Sequence, residues 1–181
     1  ILLDTSASMN AGDVKPSRIE KAKYELGRLL NKLEGDRVGL IAFAGSAHLH
    51  CPLTEDYSAS RLFLNMMDTD LITTQGTDLA VAIQLALDHV ENDDEKFKVF
   101  VLVSDGEDHQ GEAIILAEKA RKLGIIIHTL GVGTAAGGPI PIYDDNGNRV
   151  EFKKNRRGQV VTSTLNESTL NEIARITGGL Y

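Results

Sequence analysis

An aspartate and two serines lie at alternate positions directly after the apolar start of the chain, Ile1-Leu2-Leu3. The run Asp4-Thr5-Ser6-Ala7-Ser8 supplies a carboxylate and two hydroxyls, and all three can face one point just beyond the end of a strand. Hard oxygen donors with little total charge suit Mg²⁺ or a similar small cation. The run therefore predicts a metal-dependent binding site.

Two further segments supply oxygen donors in comparable positions. Thr77 lies in a polar loop before a helical stretch, and Asp105 ends the apolar segment 98–104. In an open parallel sheet, ligands collect beyond the carboxyl ends of the strands, near the point where the strand order reverses. Three segments that converge there are a stronger signal than Asp-x-Ser-x-Ser alone. The alternative is that Asp4 and Asp105 cap helices or turns, and that the serines cap local backbone.

Hydrophobic periodicity predicts the elements that must position these residues. Apolar runs bounded by turn residues indicate buried strands, with a partner strand at 48–53. Amphipathic stretches indicate helices between them. The order β-α-β-β-α-α-β-α-β is typical of an α/β fold, here a Rossmann-like three-layer α/β/α sandwich with a mostly parallel central sheet and one short antiparallel edge strand. The buried strands are expected at 1–4, 37–46, 98–104 and 125–132, and the helices at 17–34, 58–67, 79–91, 112–123 and 167–177.

Capping residues mark several of these boundaries. Pro16 and Ser17 predict the start of the first helix and Gly35 its end, while Asp78 is a good N-cap for the helix at 79–91. Residues 134–164 interrupt the alternation and are rich in Gly, Pro and polar residues. Within them, Asp145-Asn146-Gly147-Asn148 is a strong signal for a two-residue hairpin turn. We therefore expect a β-hairpin insertion at 134–164, on the domain surface.

Composition limits the classes of function. The net charge of −7, without a basic stripe, argues against a nucleic-acid-binding protein. No run approaches 18 consecutive apolar residues, so no segment is predicted to span a membrane. The 181 residues suit one domain, 1–181. Because the chain starts without Met, inside a strand, we expect it to be a fragment of a longer protein, whose membrane segments would lie outside it.

The three segments together resemble the von Willebrand factor type A (vWA) domain. That family's metal-ion-dependent adhesion site (MIDAS) consists of Asp-x-Ser-x-Ser, then Thr, then Asp, in the order found here. The resemblance covers essentially the whole chain. It implies that Ser6, Ser8 and Thr77 coordinate a cation directly or through water, and that Asp4 and Asp105 anchor it largely through water. The implied ion is Mg²⁺, with Mn²⁺ or Ca²⁺ as substitutes.

A narrower resemblance is to bacterial aerotolerance-operon (Bat) proteins of the BatA/BatB type. It is carried by four segments: VKPSRIEKAK, GDRVGLIAFAGSAHLHCPLT, SDGEDHQG and GPIPIYDDNGNRVEFKKNRRGQVVTS. The resemblance implies a full-length protein of the bacterial inner membrane, with this domain on the periplasmic side, in a stress or aerotolerance complex. The implied candidate partners are a MoxR-type AAA ATPase, a tetratricopeptide-repeat protein or another vWA protein.

The predicted function is metal-dependent protein–protein interaction and not catalysis. Hydroxyl ligands are neutral, so the bound ion keeps much of its positive charge, and Mg²⁺ favours more ligands than these segments supply. An Asp or Glu of a protein partner can occupy the open position. One alternative is a structural scaffold that assembles through other faces, such as 134–164. A further alternative is a Mg²⁺-dependent phosphatase with Asp4 as nucleophile, although a dehalogenase-like pattern requires a second Asp where Ser6 stands.

Overall fold

The computed structural model describes residues 1–74, 76–90, 97–108, 112–144 and 147–181. A five-stranded sheet forms its centre, in the order β3-β2-β1-β4-β5. β1, β2, β4 and β5 run parallel, and β3 pairs antiparallel with β2 at one edge. The predicted mostly parallel sheet with an antiparallel edge strand is confirmed. The strands are β1 (Leu2–Asp4), β2 (Val38–Phe43), β3 (Ala47–Thr54), β4 (Val99–Ser104) and β5 (Ile126–Gly131).

In the described part of the chain, five α-helices cover the two faces of the sheet. Because successive side chains of a strand point to opposite faces, Leu2 packs against one group of helices and Leu3 against the other. Both leucines are fully buried, and the predicted three-layer sandwich is confirmed. The helices α1 (Arg18–Leu30) and α2 (Tyr57–Met66) lie on the Leu3 side, and α3 (Leu79–Val90), α4 (Ala113–Lys122) and α5 (Glu167–Thr177) on the Leu2 side.

The predicted helix starts are confirmed by their hydrogen bonds. The Ser17 hydroxyl accepts from the Glu20 N–H at 3.3 Å, and Asp78 Oδ1 accepts from the first N–H groups of α3 at 3.0 and 3.1 Å. The predicted end of α1 at Gly35 is wrong, because the helix stops at Leu30. There the last turn tightens, with the Lys32 N–H bonded to the Leu29 carbonyl, and the chain leaves the helix axis.

The insertion contains two small antiparallel pairs. β6 (Gly138–Pro139) pairs with β9 (Thr162–Ser163), and β7 (Pro141–Tyr143) pairs with β8 (Arg149–Phe152), which confirms the hairpin. The two-residue turn predicted at Asp145-Asn146-Gly147-Asn148 includes Asp145 and Asn146, which lie outside the described residues. In the described ranges, no helix is long and apolar enough to cross a membrane.

Candidate functional site

The candidate site lies at the carboxyl ends of β1 and β4. These strands are parallel neighbours, with Leu2 opposite Leu102 and Leu3 opposite Val103. The chain passes from β1 to β2 on one side of β1, while β4 lies on the other side, so the strand order reverses between β1 and β4. Asp4 ends β1 and Asp105 directly follows β4, so both carboxylates meet at the switch point of the sheet.

Asp4 is fully buried, and both of its carboxylate oxygens accept hydrogen bonds. Oδ1 accepts from the Ser6 N–H at 2.9 Å, and Oδ2 accepts from the Ser104 hydroxyl at 2.6 Å. Burial and the nearby Asp105 carboxylate raise the pKa of Asp4. Hydrogen bonds from Ser104 and Ser6 lower it, but the raising effects prevail. Within the described ranges Asp4 has no ion-pair partner. A cation at this edge would therefore favour its ionised form.

A short 3₁₀ helix, Ala7–Asn10, brings the two serines together after the end of β1. The Ser6 and Ser8 hydroxyl oxygens lie 2.9 Å apart, and both residues are about 95% buried. The Ser6 hydroxyl does not cap the 3₁₀ helix that it precedes, so backbone capping does not explain its presence. Adjacent oxygens around an octahedral Mg²⁺ are about 2.8–3.0 Å apart, given Mg–O distances of about 2.0–2.1 Å, so this separation suits two neighbouring ligands.

The loop that carries Thr77 is attached to the same edge of the sheet. The Asp78 N–H donates to the Ala44 carbonyl at 2.9 Å, and the Gly45 N–H donates to the Thr74 carbonyl at 3.1 Å. Ala44 and Gly45 directly follow β2, which is the neighbour of β1. Thr77 is thus held, almost completely buried, beside the end of β2, the strand next to β1.

Asp105 is held by three donors from different parts of the chain. Its Oδ1 accepts from the Glu107 N–H at 3.2 Å, which forms a local turn. Its Oδ2 accepts from Arg18 Nη1 at 2.7 Å and from the Ser163 hydroxyl at 3.1 Å. Arg18 comes from α1 and Ser163 from β9 of the insertion, so the insertion reaches the buried site and is not confined to the surface.

Three residues of this site, Ser104, Arg18 and Ser163, were not predicted from the sequence. Arg18 carried a usable signal, because a cation at the first position of a helix is opposed by the helix dipole and needs a partner elsewhere. Ser104 is the single polar residue at the end of an apolar strand, which also marks it. Ser163 lies in an irregular polar segment with no recognisable pattern, and only the fold brings it to Asp105.

The donor set fits a small hard cation. Across the described part of the chain, no group of three or more His, Cys, Asp or Glu is arranged to hold a metal ion. The oxygens at this edge are mainly hydroxyls, together with the Asp4 carboxylate, which has no cationic partner among the described residues. Ser6, Ser8 and Thr77 are therefore the groups that would face a cation, and Asp4 and Asp105 would lie behind them.

The sequence profile of the von Willebrand factor type A domain matches residues 1–107. BatB from Bacteroides thetaiotaomicron, a conserved hypothetical protein of known structure, is 39% identical with a TM-score of 0.92, over 99% of this chain and 86% of that one. An aerotolerance-related membrane protein from Bacteroides fragilis is 40% identical with a TM-score of 0.92, over 99% of this chain and 87% of that one.

An uncharacterized protein of Borreliella burgdorferi is 29% identical over 100% of this chain and 52% of its own length. The chain spans about half the length of the curated relatives it matches.

Two more distant structures share the fold and carry a metal. Proximal thread matrix protein 1 from the mussel byssus, with a zinc-occupied MIDAS motif, is 17% identical with a TM-score of 0.71, over 99% of this chain and 39% of that one. The manganese-loaded TRAP protein of Plasmodium vivax is 19% identical with a TM-score of 0.61, over 73% of this chain and 55% of that one. The profile match over more than half of the chain, supported by the two Bacteroides structures, shows that the protein belongs to the von Willebrand factor type A domain family.

Proposed function

We propose that this protein binds a divalent cation, Mg²⁺ by preference, at Asp4, Ser6, Ser8, Thr77 and Asp105, and that the bound ion captures an acidic side chain of a protein partner. One observation carries the proposal. The Ser6 and Ser8 hydroxyls lie 2.9 Å apart beside a buried carboxylate that has no cationic partner in the described ranges. The zinc- and manganese-loaded relatives support a cation site in this fold.

The chemistry of this donor set favours binding over catalysis. Neutral hydroxyl ligands leave the ion with most of its positive charge, and Mg²⁺ prefers six ligands. The hydroxyls of Ser6, Ser8 and Thr77 supply three, so positions remain for an anionic oxygen from outside the chain. A phosphatase mechanism would need Asp4 to present a free oxygen to substrate, whereas both of its oxygens accept internal hydrogen bonds and the residue is fully buried.

Cation binding is tested by titrating Mg²⁺ into the protein by calorimetry. We expect wild type to bind one ion and Ser8→Ala to bind it at least about tenfold more weakly. The contact between a hydroxyl and a cation, which this variant loses, is stronger than a hydrogen bond between neutral groups. Ser58→Ala, which alters an exposed serine on α2, is the matched control and should bind like wild type. Equal affinities for Ser8→Ala and Ser58→Ala would contradict the assignment.

Capture of a carboxylate is tested separately, with Mn²⁺ in the site and acetate as the probe. Water-proton relaxation reports the water molecules bound to Mn²⁺, so acetate should lower the enhancement by displacing some of them. The effect should be lost in Ser8→Ala at matched free Mn²⁺. If Mn²⁺ binds and acetate changes nothing, the acid-capture step is wrong, and a scaffold that assembles through other faces becomes the better hypothesis.

We extend the proposal to a bacterial aerotolerance or stress complex at the inner membrane, with this domain on the periplasmic side. The 40% sequence identity with an aerotolerance-related membrane protein supports this context. Candidate partners are a MoxR-type AAA ATPase, a tetratricopeptide-repeat protein or another vWA protein. An AAA ATPase needs cytoplasmic ATP, so a periplasmic domain favours the other two. Binding of each purified candidate is measured by interferometry. A true partner should bind wild type in Mg²⁺, but should bind neither wild type in EDTA nor Ser8→Ala in Mg²⁺. Binding that is unchanged by EDTA and by Ser8→Ala would refute metal-dependent partner binding.

A further inference from the structure

Arg18 is completely buried and uses all five of its N–H groups. Nε and Nη2 donate to the two oxygens of Asp13 at 2.9 and 3.0 Å. Nη1 donates to Asp105 Oδ2 and to the Ser163 hydroxyl, both at 2.7 Å, and Nη2 also donates to the Ser163 carbonyl at 2.9 Å. One guanidinium therefore joins α1, the candidate cation site and the end of the insertion.

Asp13 extends this network to the start of the insertion. Its Oδ2 accepts from the Thr134 N–H at 2.8 Å and from the Thr134 hydroxyl at 2.9 Å. The packing here is close, since a Cβ at Gly133 would lie 3.1 Å from Arg18 Cζ, and a Cβ at Gly138 would lie 3.1 Å from Asp13 Cβ. Both ends of the 134–164 insertion are thus fixed to the ion pair that holds Asp105.

We propose that Arg18 is a positioning residue for Asp105, and that the Arg18–Asp13 pair links the occupancy of the cation site to the placement of the 134–164 insertion. This inference rests on the proposed function, because it concerns the same cation. A cation needs Asp105 in one orientation, and the Ser163 hydroxyl together with Arg18 fixes that orientation in advance. Linkage is reciprocal, so whatever holds the insertion in place also strengthens cation binding, and the cation in turn holds the insertion.

An electrostatic role and a positioning role for Arg18 predict opposite changes in cation affinity when this network is altered. If Arg18 acted only through its charge, it would repel the cation, and removing that charge would tighten cation binding. If Arg18 positions Asp105, disturbing it weakens binding. Ser163→Ala is the cleaner variant, because it removes a hydroxyl that contacts both Arg18 and Asp105 and changes no charge.

The first experiment measures Mg²⁺ affinity by calorimetry in Ser163→Ala, with Thr162→Ala as the matched control on the exposed face of the same strand. We expect Ser163→Ala to weaken binding about fivefold or more, which is the lower range of measured couplings between sites, and Thr162→Ala to match wild type. Arg18→Lys keeps the charge but has three donors in place of a five-donor fork, so it should also weaken binding. Arg18→Lys that binds as tightly as wild type or more tightly, or wild-type binding by Ser163→Ala, would overturn the positioning role.

The second experiment measures hydrogen exchange, which a purely local loss of affinity would not change. Mg²⁺ should slow exchange of insertion amides such as those of Gly137 and Val161, which bond to the Thr134 and Lys153 carbonyls. Amides of α2 should be unaffected, and the slowing should disappear in Ser163→Ala. Slowing that is equal in α2 and the insertion, or absent from the insertion, would overturn the linkage while leaving the proposed function standing. No Mg²⁺ binding by wild type would overturn both.

Discussion

Replacing Arg18 with methionine should cost more stability than any exposed substitution in the protein. The change keeps an unbranched apolar stem but removes the guanidinium and its five hydrogen bonds, leaving Asp13 and Asp105 without their cation. Removing one partner of a buried ion pair typically costs about 3–5 kcal/mol. Because a single guanidinium serves two carboxylates here, we expect about 4–5 kcal/mol, a quarter or more of the roughly 5–15 kcal/mol that a domain has in total.

The assay is urea unfolding followed by circular dichroism, in EDTA so that cation binding does not contribute. A loss of about 4 kcal/mol with a slope of about 2 kcal/mol/M moves the midpoint down by about 2 M. Arg28→Met is the matched control, since Arg28 is exposed and pairs with Glu25 on the same helix, and it should cost about 0.5 kcal/mol or less.

A second substitution tests the cause of the Arg18→Met loss. Asp13→Asn should destabilise wild type, because it removes a carboxylate that Arg18 and Thr134 stabilise. In the Arg18→Met background the same change removes an uncompensated buried charge, so part of the lost stability should return. A loss below about 1 kcal/mol for Arg18→Met, or no recovery in the double variant, would refute the view that this is a buried ion-pair network.

Two further predictions concern Asp13 and a glycine beside Asp105. Burial opposes ionisation of Asp13, but hydrogen bonds from Arg18 and Thr134 outweigh it and lower the pKa of Asp13 from 3.8 to about 2. Since this folded-state pKa lies below the unfolded one, the ionised Asp13 stabilises the fold by about 2 kcal/mol above about pH 4, and this stabilisation is lost as the pH falls through about 2. The free energy of unfolding should therefore fall more steeply with decreasing pH in wild type than in Asp13→Asn over this range. Parallel curves of unfolding free energy against pH would contradict this. Gly106→Ala should destabilise the protein by at least about 2 kcal/mol more than Gly124→Ala. Both glycines have positive φ, but of the two only Gly106 would bring a new Cβ against backbone, at the Asn166 carbonyl oxygen. Equal melting temperatures for the two variants would show that this close approach can relax.

Local sequence signals accounted for most of the fold. Runs of apolar residues marked the strands, and Ser17 and Asp78 act as the N-caps that their types and positions predicted. Where the predictions missed, a longer-range interaction or a local turn decided the result. The end of α1 moved from Gly35 to Leu30, because the last turn tightens before the glycine is reached.

The sequence by itself determined which oxygen donors stand at the ends of β1 and β4, since Asp-x-Ser-x-Ser after an apolar strand is a short-range pattern. Only the tertiary structure decided what surrounds those donors. Arg18 and Ser163 lie 87 and 58 residues from Asp105 in the chain, and no local periodicity relates residues so far apart. Their meeting depends on the strand order, the packing of α1 and the return of the insertion, so the buried ion pair behind the site is a property of the fold and not of the motif.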